Sequence, residues 1–94
     1  MLFLVKMTVT LPHGMSEKDL AALKAKEAEA SQALQKSGVW RHLWRVAGAY
    51  ANFSVFEVRG PDHLHEVLTS LPFFPFLTTE VTALVPHPSA LPAV

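Results

Sequence analysis

Apolar and polar residues alternate through residues 2–11 (LFLVKMTVTL). Phe3, Val5, Met7 and Val9 fall on one side, and Leu2, Leu4, Lys6, Thr8 and Thr10 on the other, the period-two pattern of a strand. PHGM (12–15) turns the chain. Ser16, three residues ahead of Asp19, approximates a capping box. A helix is expected from there to about Lys36 through alanine-, lysine- and glutamate-rich sequence, with Gly38 suited to its C-terminal cap. Residues 40–47 and 52–58 (NFSVFEV) are two further strands, joined at Gly48-Ala49-Tyr50 as a hairpin. Gly60-Pro61 opens a second helix, in which Leu64, Val67, Leu68 and Leu71 form one apolar stripe. LPFFPF (71–76) is an apolar loop broken by prolines, residues 78–85 are a fourth strand, and the proline-rich tail 86–94 is an extended arm beyond a domain spanning 1–85.

The order β-α-β-β-α-β is that of a ferredoxin-like α+β fold. Two helices cover one face of a four-stranded antiparallel sheet, and the other face needs a partner. Composition sharpens this point. Half of the 94 residues are hydrophobic and 17% are charged. So small a chain cannot bury all of that apolar surface by itself, and a homo-oligomer is expected. Eight basic residues balance eight acidic ones, whereas a nucleic-acid binder normally carries a basic excess. The chain has no cysteine, and the opening run MLFLVKM is too short for a membrane span or signal peptide; a cytoplasmic location is expected.

Candidate chemistry begins with Glu27. On the first helix Leu20, Leu23, Ala30 and Leu34 fall within about 80° of arc, and Glu27 lies inside it. Carboxylates are rarely buried without a partner. Two readings stand: a structural one, with the side chain reaching solvent or pairing with Lys24 or an arginine, and a functional one, a general base whose pKa is raised by an apolar pocket. The stretch VWRHLWR (39–45) is the second oddity. Strict alternation puts Trp40, His42 and Trp44 on one face and Arg41, Leu43 and Arg45 on the other. The tryptophans suit core or interface packing, with indole N–H groups that need acceptors. The arginines suit either an exposed strand edge or a bidentate clamp for a carboxylate.

Other chemistries find less support. There is no glycine-rich phosphate loop and no Cys/His metal spacing, so neither metal nor cofactor is expected. His63 and His65 point about 160° apart on a helix. The serines lack a nucleophile motif, and the aromatic signature of an RNA-recognition sheet is absent.

Several segments together resemble the muconolactone delta-isomerase family of the bacterial 3-oxoadipate pathway. They are MLFLVKMTV (1–9), LP (11–12) with Met15, LKAKE (23–27), LQKSGVWRHLWRVAGAYANFSVFEV (34–58), LH (64–65), LPFFPF (71–76) and HPS (87–89). The resemblance covers nearly the whole chain. Phe73, Phe76 and Leu77 depart from the family's usual Leu, Tyr and Met, and Pro86 stands where arginine is common.

The resemblance implies a cofactor-free 1,3 allylic proton shift from C4 to C2 of muconolactone, giving 3-oxoadipate enol-lactone. It also implies a dimeric α+β barrel assembled into decamers. Carried onto this chain, Glu27 is the base. Lys24, Tyr50, Asn52 or the Trp40 N–H is the donor to the lactone oxygen, and Arg41, then Arg45, is the cation for the substrate's acetate arm. His42 is a proton relay or a structural residue, and Phe3, Val5, Trp44 and Phe53 are apolar pocket walls. A chloromuconolactone dehalogenase-like activity on the same scaffold and a non-catalytic binder of small acids are the alternatives.

Overall fold

A computed structural model describes residues 1–92. Strand β1 is Leu2–Val9, helix α1 Glu17–Lys36, β2 Trp40–Arg45, β3 Ala51–Glu57, helix α2 Pro61–Thr69 and β4 Leu77–Leu84. A 3₁₀ turn, Phe74–Phe76, sits inside the proline-punctuated loop that precedes β4. The four strands form one antiparallel sheet in the order β2-β3-β1-β4. This is the expected ferredoxin-like arrangement, with each strand placed within a few residues of its sequence-derived bounds.

Local chemistry explains the elements. Ser16 caps α1 by accepting a hydrogen bond from the Asp19 N–H at 3.1 Å, and Glu17 and Asp19 place negative charge in the first turn, where the helix dipole favours it. Gly38, at φ 85°, follows the Ser37 C-cap in the left-handed conformation that ends helices, and its N–H donates to the Gln35 carbonyl. In α2, Pro61 occupies the first turn, and the Arg59 N–H ahead of it donates to Nδ1 of His63 at 3.0 Å. That ring therefore acts as a local brace. Residues 85–92 form no helix or strand, and positions 93–94 of the expected arm lie outside the described residues.

Phe3, Val5 and Met7 of β1 pack with Phe56, Trp40 and the α2 stripe Leu64, Val67 and Leu68 into the core. In contrast, α1 is only half-buried along its apolar stripe; its one buried residue is Ser31. The helix stands off the sheet, and the space beneath it becomes the site.

Two expectations need correction. The ladder between β2 and β3 pairs Trp40 with Phe56 and His42 with Val55, so Arg41 is an extra residue in a β-bulge. Past the bulge the alternation is reversed relative to Trp40. Leu43 and Arg45 pair with Ser54 and Asn52 and share Trp40's face, while His42 and Trp44 pair with Val55 and Phe53 on the opposite face. There the His42 and Trp44 rings stack at 4.9 Å and 7°. Trp40, His42 and Trp44 therefore do not share a face. Nor do Trp44 and Phe53 line a cavity under α1; they are exposed on the uncovered side of the sheet.

Candidate active site

Between α1 and the sheet lies a cavity of about 430 Å³. Its floor is sheet: Met7, Val9, Ala51 and Asn52. Its roof is the α1 face carrying Lys24, Glu27, Ala28 and Ser31. Trp40, Leu43, Arg45 and Tyr50 form one side, and Phe73 and Leu77 close the other. Ala28, Ser31 and Ala51 line it with small side chains that do not fill it.

Glu27 is held at Oε1 by the Phe73 backbone N–H at 2.8 Å. Burial raises its pKa above the ordinary 4.5, and the Phe73 hydrogen bond only partly offsets this. No ion pair neutralises the group. Among the described residues the one salt bridge joins the Met1 amine to Glu57, so the ion pair with Lys24 or an arginine, one form of the structural reading of Glu27, is not formed. The carboxyl is partly desolvated with Oε2 available, the condition of a poised base.

Lys24 and Arg45 reach the same cavity without carboxylate partners. The Arg45 guanidinium lies 5.2 Å from the centre of the Tyr50 ring, a contact that orients it without spending its hydrogen-bond donors. Asn52 is oriented from the floor, where the buried Ser54 hydroxyl donates to its Oδ1 at 2.7 Å. This leaves the Asn52 amide N–H₂ as a donor. Of the residues expected at the site, Glu27, Lys24, Arg45, Trp40, Tyr50 and Asn52 meet here, whereas Arg41 and His42 do not. Phe3 and Val5 belong to the core. The bulge is the reason Arg45, and not Arg41, turns inward.

Two contributors were not foreseen. Phe73 acts through its backbone N–H, for which a side-chain pattern gives no signal. Ser31 lies one turn past Glu27 and accepts from Gln35 Nε2 at 2.9 Å; its signal is a polar residue at the edge of the apolar stripe. Trp40 is 3% exposed, and its Nε1–H has no hydrogen-bond partner. An unpaired buried donor costs about 1–3 kcal/mol. Among the described residues no cluster of three His, Asp or Glu side chains is arranged to hold a metal ion.

This fold and cavity define a class: ferredoxin-like α+β proteins with a cavity of small-molecule size between sheet and helix. Within it, the chain belongs to the muconolactone delta-isomerase family, whose model matches residues 1–90. It is 56% identical over 91 residues to Muconolactone Delta-isomerase 2 of Acinetobacter lwoffii, covering 97% of this chain and 95% of that protein. It is 50% identical over 93 residues to Muconolactone Delta-isomerase of Pseudomonas aeruginosa, covering 99% and 97%. A crystal structure of muconolactone isomerase superposes with a TM-score of 0.92 at 51% identity, covering 100% of this chain and 98% of that one. A 5-chloro-2-hydroxyhydroquinone dehydrochlorinase from Burkholderia phenoliruptrix shares the fold at a TM-score of 0.62 and 18% identity, over 90% of this chain and 94% of that one.

Proposed function

We propose that this chain is an isomerase that converts muconolactone to 3-oxoadipate enol-lactone in aromatic catabolism, with Glu27 as its single base. One observation carries the reading: a partly desolvated carboxyl and two unpaired cations share one cavity of small-molecule size. The cavity holds one negative group and two positive ones, so it favours a ligand that brings its own carboxylate.

The substrate's acetate arm pairs with Arg45, with Lys24 adding positive charge at the mouth. Tyr50 and Asn52 orient the lactone ring. Phe73 keeps Oε1 in place while Oε2 takes the C4 proton. The electron pair left behind spreads through the ring to the lactone oxygen as a dienolate. The carboxylic acid so formed returns the proton at C2, the double bond settles between C3 and C4, and Glu27 is again a carboxylate. A raised pKa suits both halves, because the acid must give up a proton as readily as the base accepts it.

The open face of the sheet carries the His42–Trp44 stack, Phe53 and Leu4. We assign it to packing against a second copy, as in a dimeric α+β barrel, with dimers assembling into a decamer. No helix of the described residues is long and apolar enough to cross a membrane, and we place the enzyme in the cytoplasm.

Incubating the purified protein with muconolactone in D₂O tests the activity. Proton NMR should show the vinylic pattern change as the double bond migrates, with deuterium appearing at C2 to the extent that the Glu27 carboxylic acid exchanges with solvent before it returns the proton. A protein that binds the lactone but leaves both signals unchanged is the non-catalytic acid binder instead.

A further inference from the structure

We infer that Trp40 is a catalytic residue of this site, its indole N–H being the donor that stabilises the lactone oxygen as it gains charge. The inference rests on the proton-shift reading above and names the group that completes it. Four candidates stood on the sequence: Lys24, Tyr50, Asn52 and Trp40. The structure separates them by what each donor is already doing and by how well it is fixed.

Lys24 is an exposed side chain at the mouth of the cavity, where water competes for it and a carboxylate is its natural partner. Tyr50 is 40% exposed in the β2–β3 turn, with the Arg45 guanidinium against its ring. Asn52 is oriented by Ser54 but only half-buried. Trp40 differs on every count. It is buried and stacked on Phe56 with ring centroids 4.8 Å apart. It borders the same cavity as Glu27. Its Nε1 is the one buried side-chain polar atom among the described residues that lacks a partner.

A fixed donor that meets its acceptor only as charge develops stabilises the transition state more than the ground state. The Trp40 nitrogen is closed to water in the free protein, so it has no solvent partner to surrender. Nε1 is sealed in the free chain, and donation requires a small turn of the ring about χ2, a broad torsion for an indole, to present the N–H to the cavity that Trp40 borders. The bulge at Arg41 fixes this arrangement. It lets Trp40 lie on the cavity face together with Arg45, so that one strand carries both the donor for the lactone carbonyl oxygen and the cation for the acetate arm.

Replacing Trp40 by β-(3-benzothienyl)alanine exchanges the N–H for sulfur and keeps the shape of the ring. Its kcat is expected to fall about 10²-fold or more, with KM little changed and with circular dichroism and oligomer size unaltered. A second measurement uses the unmodified protein. In a ¹H–¹⁵N spectrum the two indoles give two signals, assigned with Trp44→Phe. Adding 3-hydroxyphenylacetate, which joins a phenol oxygen to an acetate arm, should move the Trp40 N–H downfield and leave Trp44, on the opposite face, in place. A benzothienyl variant that turns over within about threefold of wild type, a small effect beside the usual loss of an oxyanion donor, overturns the assignment. So does bound probe that leaves the Trp40 signal unmoved. Glu27→Gln, assayed alongside, keeps the two claims apart: near wild-type turnover there refutes the base, whatever the Trp40 results.

Discussion

At the scale of single residues, burial of one carboxyl has opposite consequences for folding and for catalysis. The folded-state pKa of Glu27 lies above its ordinary 4.5 because burial disfavours the charged form. The neutral form is therefore the one the fold prefers. Its contribution to stability is complete below pH 4.5 and is lost as the pH rises through the folded-state value. Glu27→Gln keeps an oxygen to accept from the Phe73 N–H and removes the charge. Its melting temperature should match wild type in acid and exceed it at neutral pH, as thermal denaturation across that window will show. In the proposed mechanism catalysis uses the ionised form, so kcat/KM of wild type should fall as the pH is lowered through the same raised value. Arg45 supplies a second test. Losing a hydrogen bond to a charged group costs about 1.5–3 kcal/mol, so Arg45→Ala should raise KM roughly ten- to a hundredfold. Arg41→Ala, at the bulge, should leave KM close to wild type.

At the scale of elements, the strand carrying both tryptophans is the most instructive. Composition marked it as unusual, and Trp40, Leu43 and Arg45 from it line the cavity. Period-two alternation could not say which of them do, because a bulge has no obligatory residue signature and Arg41 is an ordinary strand residue in every local respect. The hydrophobic pattern was sufficient for β1, whose inward Phe3, Val5 and Met7 have no irregularity to contend with. It was also sufficient for the stripe of α1, and Glu27 was found because helical periodicity survives intact over twenty residues. The Phe73 amide and the distance at which α1 stands from the sheet depend on tertiary packing, and neither follows from local periodicity. Two deletions test the bulge. Removing Arg41 restores an unbroken ladder and keeps Arg45 inward, so that variant should retain acid binding by isothermal calorimetry. Removing Leu43 exchanges the faces of Trp44 and Arg45 and should abolish it.

At the scale of the whole molecule, the sheet is covered on one side only. Trp44 is 56% exposed and Phe53 38% exposed on the other side, beside Lys6, whose ammonium lies 5.8 Å from the Phe53 ring centre. An apolar surface of this kind on a chain of 94 residues is expected to be shared with another copy. Placing a carboxylate there by Trp44→Asp should produce a smaller species by sedimentation velocity; wild-type assembly in that variant would locate the interface elsewhere. The cavity lies on the opposite side of the sheet from this surface, so the proposed interface and the proposed site occupy separate faces of one four-stranded layer. The proposed reaction depends on one carboxylate carrying the proton between two carbons. Its most direct test is the rate of muconolactone conversion by Glu27→Gln, with fold and oligomer size verified. A loss of about 10²–10⁴-fold, the usual worth of a positioned base, is the predicted result, and turnover close to wild type would contradict it.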